Sequence, residues 1–263
     1  MIFLKLGGSL ITDKTRAETA RREVLERLAT EIAEARRARP ALRLLIGHGS
    51  GSFGHTAAAR HRTHEGARTS EDWLGFVEVW QAANRLNRIV VDALRAAGLP
   101  VVSFPPSASV VARAGEIAAL AHEPIARALD HGLVPLVQGD VAFDEQRGAS
   151  IVSTERVFTW LVPVLRPQRI LLAGIDAGVF ADFPRNRHLM PSVSQRMLGQ
   201  DRLAGSHGVD VTGGMADKVR SALAWVRQHP EVEVRVFSGE EPGQVRQALL
   251  GAALGTRVVW VDE

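Results

Sequence analysis

Val, Ile and Leu gather in short runs at 2–6, 42–47, 100–104, 133–138, 168–173, 232–237 and 256–261, most of them bounded by turn-forming residues, as strands are. Between most of these runs the apolar positions recur at helical spacing, which predicts helices at about 18–38, 71–97, 122–131, 154–165, 191–202, 215–228 and 242–250. Alternating strands and helices predict an α/β fold, a three-layer αβα sandwich around a mostly parallel central sheet. Ligands of such sheets collect beyond the carboxyl ends of the strands. Glycines gather at those ends: Gly7-Gly8-Ser9 after the first strand, Gly47 to Gly54 after the second, Gly139-Asp140 after the fourth, and Gly174 with Gly178 after the fifth. Segments 60–70 and 181–191 read as surface loops, the first a candidate lid. A lobe boundary near Pro163 to Pro167 divides the chain into an N-terminal lobe, 1–166, and a C-terminal lobe, 167–263.

The 263 residues, 46% hydrophobic and 23% charged, suffice for one large domain or two closely packed lobes. No apolar run approaches the roughly 20 residues of a membrane span, and the N-terminus enters directly into a strand, so a cytoplasmic protein that binds no membrane is expected. Cysteine is absent, which excludes disulfides and thiolate chemistry. The sequence pI is 10.1, yet the formal charge at pH 7 is only +3. With no Tyr or Cys to titrate, the charge balance waits for lysine, so the high pI does not argue for nucleic acid. More telling is the division of 32 basic residues into 29 Arg and 3 Lys. Lys is a compact point charge on a slim stem, suited to a crowded phosphate site where the broad Arg fork does not fit. Lys5 and Lys14 flank a glycine turn, and Lys218 follows Thr212-Gly213-Gly214.

Gly49-Ser50-Gly51-Ser52-Phe53-Gly54 satisfies the dinucleotide fingerprint G-x-G-x-x-G, but it follows the second strand, and a polar stretch rather than an apolar-faced helix is expected after it. A phosphate cradle of backbone amides is the simpler reading. The P-loop and protein-kinase signatures do not occur. His48, His55, His61 and His64 repeat no metal-site spacing, so no protein metal ligand is expected.

Leu4-Lys5-Leu6-Gly7-Gly8-Ser9, Lys14, His48-Gly49-Ser50-Gly51-Ser52-Phe53-Gly54-His55, Gly139-Asp140, and Asp210-Val211-Thr212-Gly213-Gly214-Met215 with Lys218 together resemble the amino acid kinase superfamily, over nearly the whole chain and in order. Within it the pattern looks like the isopentenyl phosphate kinases, with fosfomycin kinase as neighbour. The resemblance implies an ATP- and Mg²⁺-dependent phosphotransferase that acts on a phosphate acceptor, isopentenyl phosphate, in isoprenoid precursor synthesis. It implies catalytic roles for Lys5, Lys14, His55 and Lys218, with Lys14 at the transition state. It places Lys5, Gly7, Gly8, Ser9, Gly51, Asp176, Gly214 and Lys218 on the nucleotide, and Ser50, His55 and Gly139 on the acceptor phosphate. The acceptor lobe would be N-terminal and the ATP lobe C-terminal, in a homodimer.

Two departures stand out. Where relatives carry Ser-Gly-Asp, with the aspartate orienting the lysines, this chain has Ser153-Thr154-Glu155; Glu155 reaches for the same lysines with one more methylene. Ala173-Gly174-Ile175-Asp176-Ala177-Gly178-Val179 lacks one acid of the usual loop. Trp73, Phe76, Val77 and Trp80 form a stripe that is ordinarily core; alternatively Phe76 and Trp80 wall the acceptor's tail. Three other readings stay open: a phosphonate kinase such as fosfomycin kinase, a non-catalytic nucleotide-binding module, and a dinucleotide-dependent oxidoreductase.

Overall fold

In a computed structural model, residues 1–182, 184–197 and 214–261 are described, except for the side chain of His55. Eight strands form the main sheet, in spatial order Ser192–Val193 (β10), Thr256–Val258 (β12), Glu233–Ser238 (β11), Arg169–Gly174 (β9), Ile2–Leu6 (β1), Leu44–His48 (β2), Val134–Gln138 (β6) and Val101–Ser103 (β3). All neighbours pair in parallel except β11 and β12. A second sheet runs Glu116–Leu120 (β5), Val110–Arg113 (β4), Asp140–Asp144 (β7) and Gly148–Val152 (β8). The helices are Gly8–Ile11 (α1), Arg22–Ala38 (α2), Gly51–His61 (α3), Ser70–Ala96 (α4), Pro106–Ser109 (α5), Glu123–Asp130 (α6), Thr154–Leu165 (α7), Gly214–Gln228 (α8) and Gln244–Leu250 (α9).

Side chains alternate across a strand, and β1 shows what that does. Ile2, Leu4 and Leu6 enter a core with α2, α4 and α9, whereas Phe3 enters the opposite core with α6, α7 and α8. The same alternation puts Lys5 on the Phe3 face, toward α7 and α8. Because β1 is central and covered on both sides, Lys5 is only 7% exposed. The main sheet runs on across the boundary expected near Pro163 to Pro167: α7 is capped by Arg166, in the left-handed region at φ 46°, and β9 then pairs with β1 along its whole length.

Three expectations are corrected. The segment expected as a helix at 191–202 begins instead with β10 and a 3-10 turn at Gln195–Met197, and residues 198–202 lie outside the described residues. The glycine-rich stretch opens at once into α3, which runs to His61, so the loop at 60–70 is shorter than expected and contains a 3-10 turn at Thr63–Glu65. The second sheet has no counterpart among the predicted strands. No helix among the described residues is long and apolar enough to cross a membrane.

Candidate active site

Two turns at the carboxyl ends of β1 and β2 interlock because each lacks side chains at the contact. A Cβ on Gly8 would lie 2.7 Å from Gly51 Cα and N, and one on Gly49 would lie 2.9 Å from Gly8 N. Gly51 also has φ 51°, which disfavours any side chain, and its Cβ would strike Thr12 Oγ1 at 2.2 Å. Thr12 sews the turns together, donating to Gly8 O at 2.7 Å and accepting from Ser52 N at 3.0 Å. Neither α1 nor α3 has a side-chain cap at its start. Their first amides have no acceptor within their own helices, and Gly8, Ser9 and Gly51 line the same cavity, an arrangement suited to an anion. Gly7 stands behind the cradle, its amide donating to Ala173 O at 2.8 Å.

Lys5, Gly8, Ser9, Lys14, Ser50, Gly51, Gly139, Glu155, Gly214 and Lys218 line a single cavity of about 470 Å³. Lys5 Nζ donates to Glu155 Oε1, in an ion pair whose side chains are 8% and 13% exposed. Burial by itself would raise the pKa of Glu155. The charge and hydrogen bond of Lys5, with the charge of Lys218 in addition, hold it below the usual carboxylate value instead. Glu155 thus meets the Lys5 ammonium directly and feels the charge of Lys218. Its neighbour Thr154 donates to His48 O at 2.7 Å and fixes the start of α7 against β2.

His48 is fully buried, and burial pushes its pKa down to about 4, with the Lys5 charge acting the same way. Its ring is held at both ends: Nδ1 lies 3.1 Å from Gly49 O, and Asn87 Nδ2 donates to Nε2 at 3.1 Å. Those partners require a neutral ring protonated on Nδ1. Ser103 Oγ then donates to Asn87 Oδ1 at 2.9 Å, so the chain joins β3, α4 and β2 behind the cradle. Asn87→Leu, which strands two buried polar groups, is expected to lower stability by about 1–3 kcal/mol. A urea titration should show an earlier midpoint at unchanged slope.

Of the α4 stripe Trp73–Phe76–Val77–Trp80, Phe76 belongs to the buried face of the helix, with Gly75, Val79, Ala82, Ala83, Leu86, Asn87, Val90 and Leu94. Val79 and Ala83 line the cavity, as do Ala58 and Ile151, whereas Phe76 and Trp80 do not. Phe76 packs its ring on Trp73 and Phe143 at 5.5 and 5.0 Å, and Trp80 is 41% exposed.

Asp176 and Gly7 are likewise not among the lining residues. The backbone of His55 lies in α3, and its side chain lies outside the described residues, as do Asp210, Val211, Thr212 and Gly213. His61 is engaged by Glu78 at 2.6 Å.

Sequence reasoning missed the roof. Asp144 accepts from the amides of Ala114, Gly115, Gln146 and Arg147 and from Ser150 Oγ, tying the β4–β5 turn to the β7–β8 turn. Arg156, next to Glu155, donates to Gly115 O and clamps that roof to α7. Arg147, Arg156 and His64 reach the cavity mouth. An Asp opening a turn that closes on Gly148 signals only a local bend, so the pairing of two distant turns left no mark in the sequence.

Comparison with known proteins agrees with this geometry. The amino acid kinase family model matches residues 1–238. The chain is 36% identical to the isopentenyl phosphate kinase of Methanothermobacter thermautotrophicus, covering 98% of both chains, and 31% identical to that of Methanocaldococcus jannaschii, again covering 98% of both. A solved isopentenyl phosphate kinase structure superposes with a TM-score of 0.83 at 34% identity, covering 98% of this chain and 99% of the other. A shared fold and coverage nearly end to end leave one assignment: the chain belongs to the amino acid kinase family, in its isopentenyl phosphate kinase branch.

Proposed function

We propose that the protein transfers the γ-phosphoryl group of ATP to the phosphate of isopentenyl phosphate, giving isopentenyl diphosphate and ADP for isoprenoid precursor synthesis. The observation that carries this reading is the composition of one cavity. A glycine cradle and three lysines occupy one part, and Ala58, Val79, Ala83 and Ile151 give it an apolar wall. Phosphoryl transfer asks chiefly for positioning and for cations around the equatorial oxygens. Lys5, Lys14 and Lys218 supply the charge, and Glu155 fixes Lys5. The amides of Gly8, Ser9 and Gly51 hold the transferring group. Ser50, Gly139 and His55 hold the acceptor phosphate, which attacks as an oxyanion and needs no separate nucleophile. Gly7, Asp176 and Gly214 belong to the nucleotide side, with residues 1–166 as acceptor lobe and 167–263 as ATP lobe. The apolar wall favours a prenyl tail over fosfomycin, whose carbon skeleton is small and oxygenated.

Among the described residues, no group of three or more His, Asp or Glu side chains is placed to hold a metal ion. Glu155 is engaged by Lys5 and Asp217 by Arg220. A protein cage does not fit; Mg²⁺ enters on the nucleotide phosphates, as it does in sites that use few carboxylates. The reaction is assigned to the cytoplasm, consistent with a chain without cysteine. The protein acts as a homodimer, for which the exposed Leu74, Val77 and Trp80 of α4 offer an apolar face.

The test is incubation with ATP, Mg²⁺ and, in parallel, isopentenyl phosphate, dimethylallyl phosphate, fosfomycin, UMP or acetylglutamate. Turnover is expected with the prenyl phosphates, and none with either of them would overturn the reading. Ala83→Phe, which fills the apolar wall, is expected to raise the acceptor KM by about tenfold or more and leave the ATP KM within about twofold. Trp80→Ala, outside the cavity, leaves both within about twofold; an acceptor KM that responds to Trp80 instead would return the tail to the outer stripe of α4.

A further inference from the structure

Three acids line the cavity, and Asp140 differs from the other two. Glu155 and Asp217 are each engaged by a cation, whereas the partners of Asp140 are neutral: the amides of Val141 and Ser107 and the side chains of Ser107 and Gln138. Its Oδ1 accepts from Val141 N at 2.9 Å, and Oδ2 accepts from Ser107 N at a long 3.4 Å. Asp140 is 2% exposed and heads β7 directly after Gly139. A Cβ placed on Gly139, the residue before it, would lie 3.7 Å from Ser50 N, and Asp140 itself lines the same cavity as Ser50 and Gly51. None of these partners carries a charge to offset that of the ionised carboxylate. Burial raises the Asp140 pKa to about 6, against the partial compensation of the Ser107, Val141 and Gln138 bonds.

The groups around it come from every neighbouring element. Lys5 on β1, Lys14 after α1, Glu155 on α7, and Asp217 and Lys218 on α8 share the cavity, with His64, Arg147 and Arg156 at its mouth. His48 on β2 is buried and neutral, and Ser107 on α5 and Val152 opposite on β8 do not titrate. A phosphate monoester has its second pKa near ~6. Two anionic groups side by side in a shielded site behave as a coupled pair and retain one proton between them.

Resting on the proposed phosphate acceptor, we infer that Asp140 and the acceptor phosphate share a single proton, so that the enzyme takes up one proton from solvent when the acceptor binds. That proton sits on the carboxyl or on a non-attacking phosphate oxygen, and the attacking oxygen stays bare. Asp140 then selects the ionisation state of the bound pair and lowers acceptor affinity as pH rises.

Titration calorimetry of isopentenyl phosphate into the full protein with a non-hydrolysable ATP analogue, in two buffers of different ionisation enthalpy at pH 7.5, counts the protons. The wild type is expected to take up about one proton per acceptor and Asp140→Asn about none, since an amide does not titrate. In steady state the wild-type acceptor kcat/KM is expected to fall by up to about tenfold per pH unit above neutrality, with the Asp140→Asn profile nearly level there. The KM for ATP stays unchanged in the variant. Asp140→Ser serves as a second variant with the same expected loss of uptake should the first fail to fold. Turnover without proton uptake by the wild type, or equal uptake in the variants, overturns the shared proton alone. Absence of turnover with every prenyl phosphate overturns the functional reading and this inference together.

Discussion

Lys5→Met is expected to lower kcat by about a thousandfold, near 4 kcal/mol of lost transition-state stabilisation. Lys5 is a cation held rigidly inside the protein: it lies on a central strand, is 7% exposed, and is fixed by Glu155. A charge so preorganised acts on developing phosphate charge without the reorganisation that water requires. ATP binding should suffer much less, because Lys14, Lys218 and the cradle amides remain along the same cavity. Single-turnover measurements at saturating ATP separate the two effects. Lys5→Arg is expected to fail nearly as badly, since the guanidinium fork does not fit where the Lys5 ammonium meets Glu155. The double variant Lys5→Met with Glu155→Gln makes the argument sharper. Removing both charges should recover stability lost by either single change, while kcat stays as low as in Lys5→Met. Recovered kcat in the double variant would show that Lys5 is structural rather than catalytic.

The elements that carry this chemistry were legible to different degrees, for physical reasons. The apolar run at 2–6 forecast the strand that carries Lys5, and the glycines after the first two strands forecast a phosphate cradle. The start of α3 was hidden because Gly51-Ser52-Phe53-Gly54 has poor helix propensity, and the turn is imposed by contact with Gly8 and Thr12, residues about forty positions away. The part of α4 that lines the cavity left little mark because four large apolar side chains outweigh small ones in the pattern. Val79 and Ala83 line it, beside the buried Gly75 and Ala82, where closeness of backbones matters more than bulk. Strands β4, β5, β7 and β8 are short, rich in Ala and polar residues, and are stabilised by Asp144 bonding across two turns, a tertiary device without local signature. His48 showed only as a member of a histidine group; its tautomer and neutrality come from Asn87 and burial, which only the fold brings together.

Glu155→Gln is expected to lower stability by about 3 kcal/mol at neutral pH and to cut kcat strongly. Breaking one partner of a buried pair leaves the other charge uncompensated, and the cost lies in that residual charge more than in the pair itself. The pH dependence identifies the cause. The folded-state pKa of Glu155 lies below its ordinary value of 4.5, so the ionised carboxylate contributes stability that is full above that value and is lost as pH falls through the folded value. The stability gap between wild type and Glu155→Gln should therefore be widest near neutrality and close as pH falls below 4.5 through the folded value. Urea titrations at several pH values measure it, and a gap that stays constant into acid would assign the loss to packing. Glu155→Asp separates charge from reach. Thr154 anchors the start of α7 through His48 O, so the shorter carboxylate is not free to move toward Lys5. The variant should keep more of the stability than Glu155→Gln, yet lose roughly ten- to a hundredfold in kcat through misplacement of the ammonium. Wild-type kcat in Glu155→Asp would mean that Thr154-Glu155 merely substitutes for the Gly-Asp of relatives, with the loop around α7 adjusting to either length.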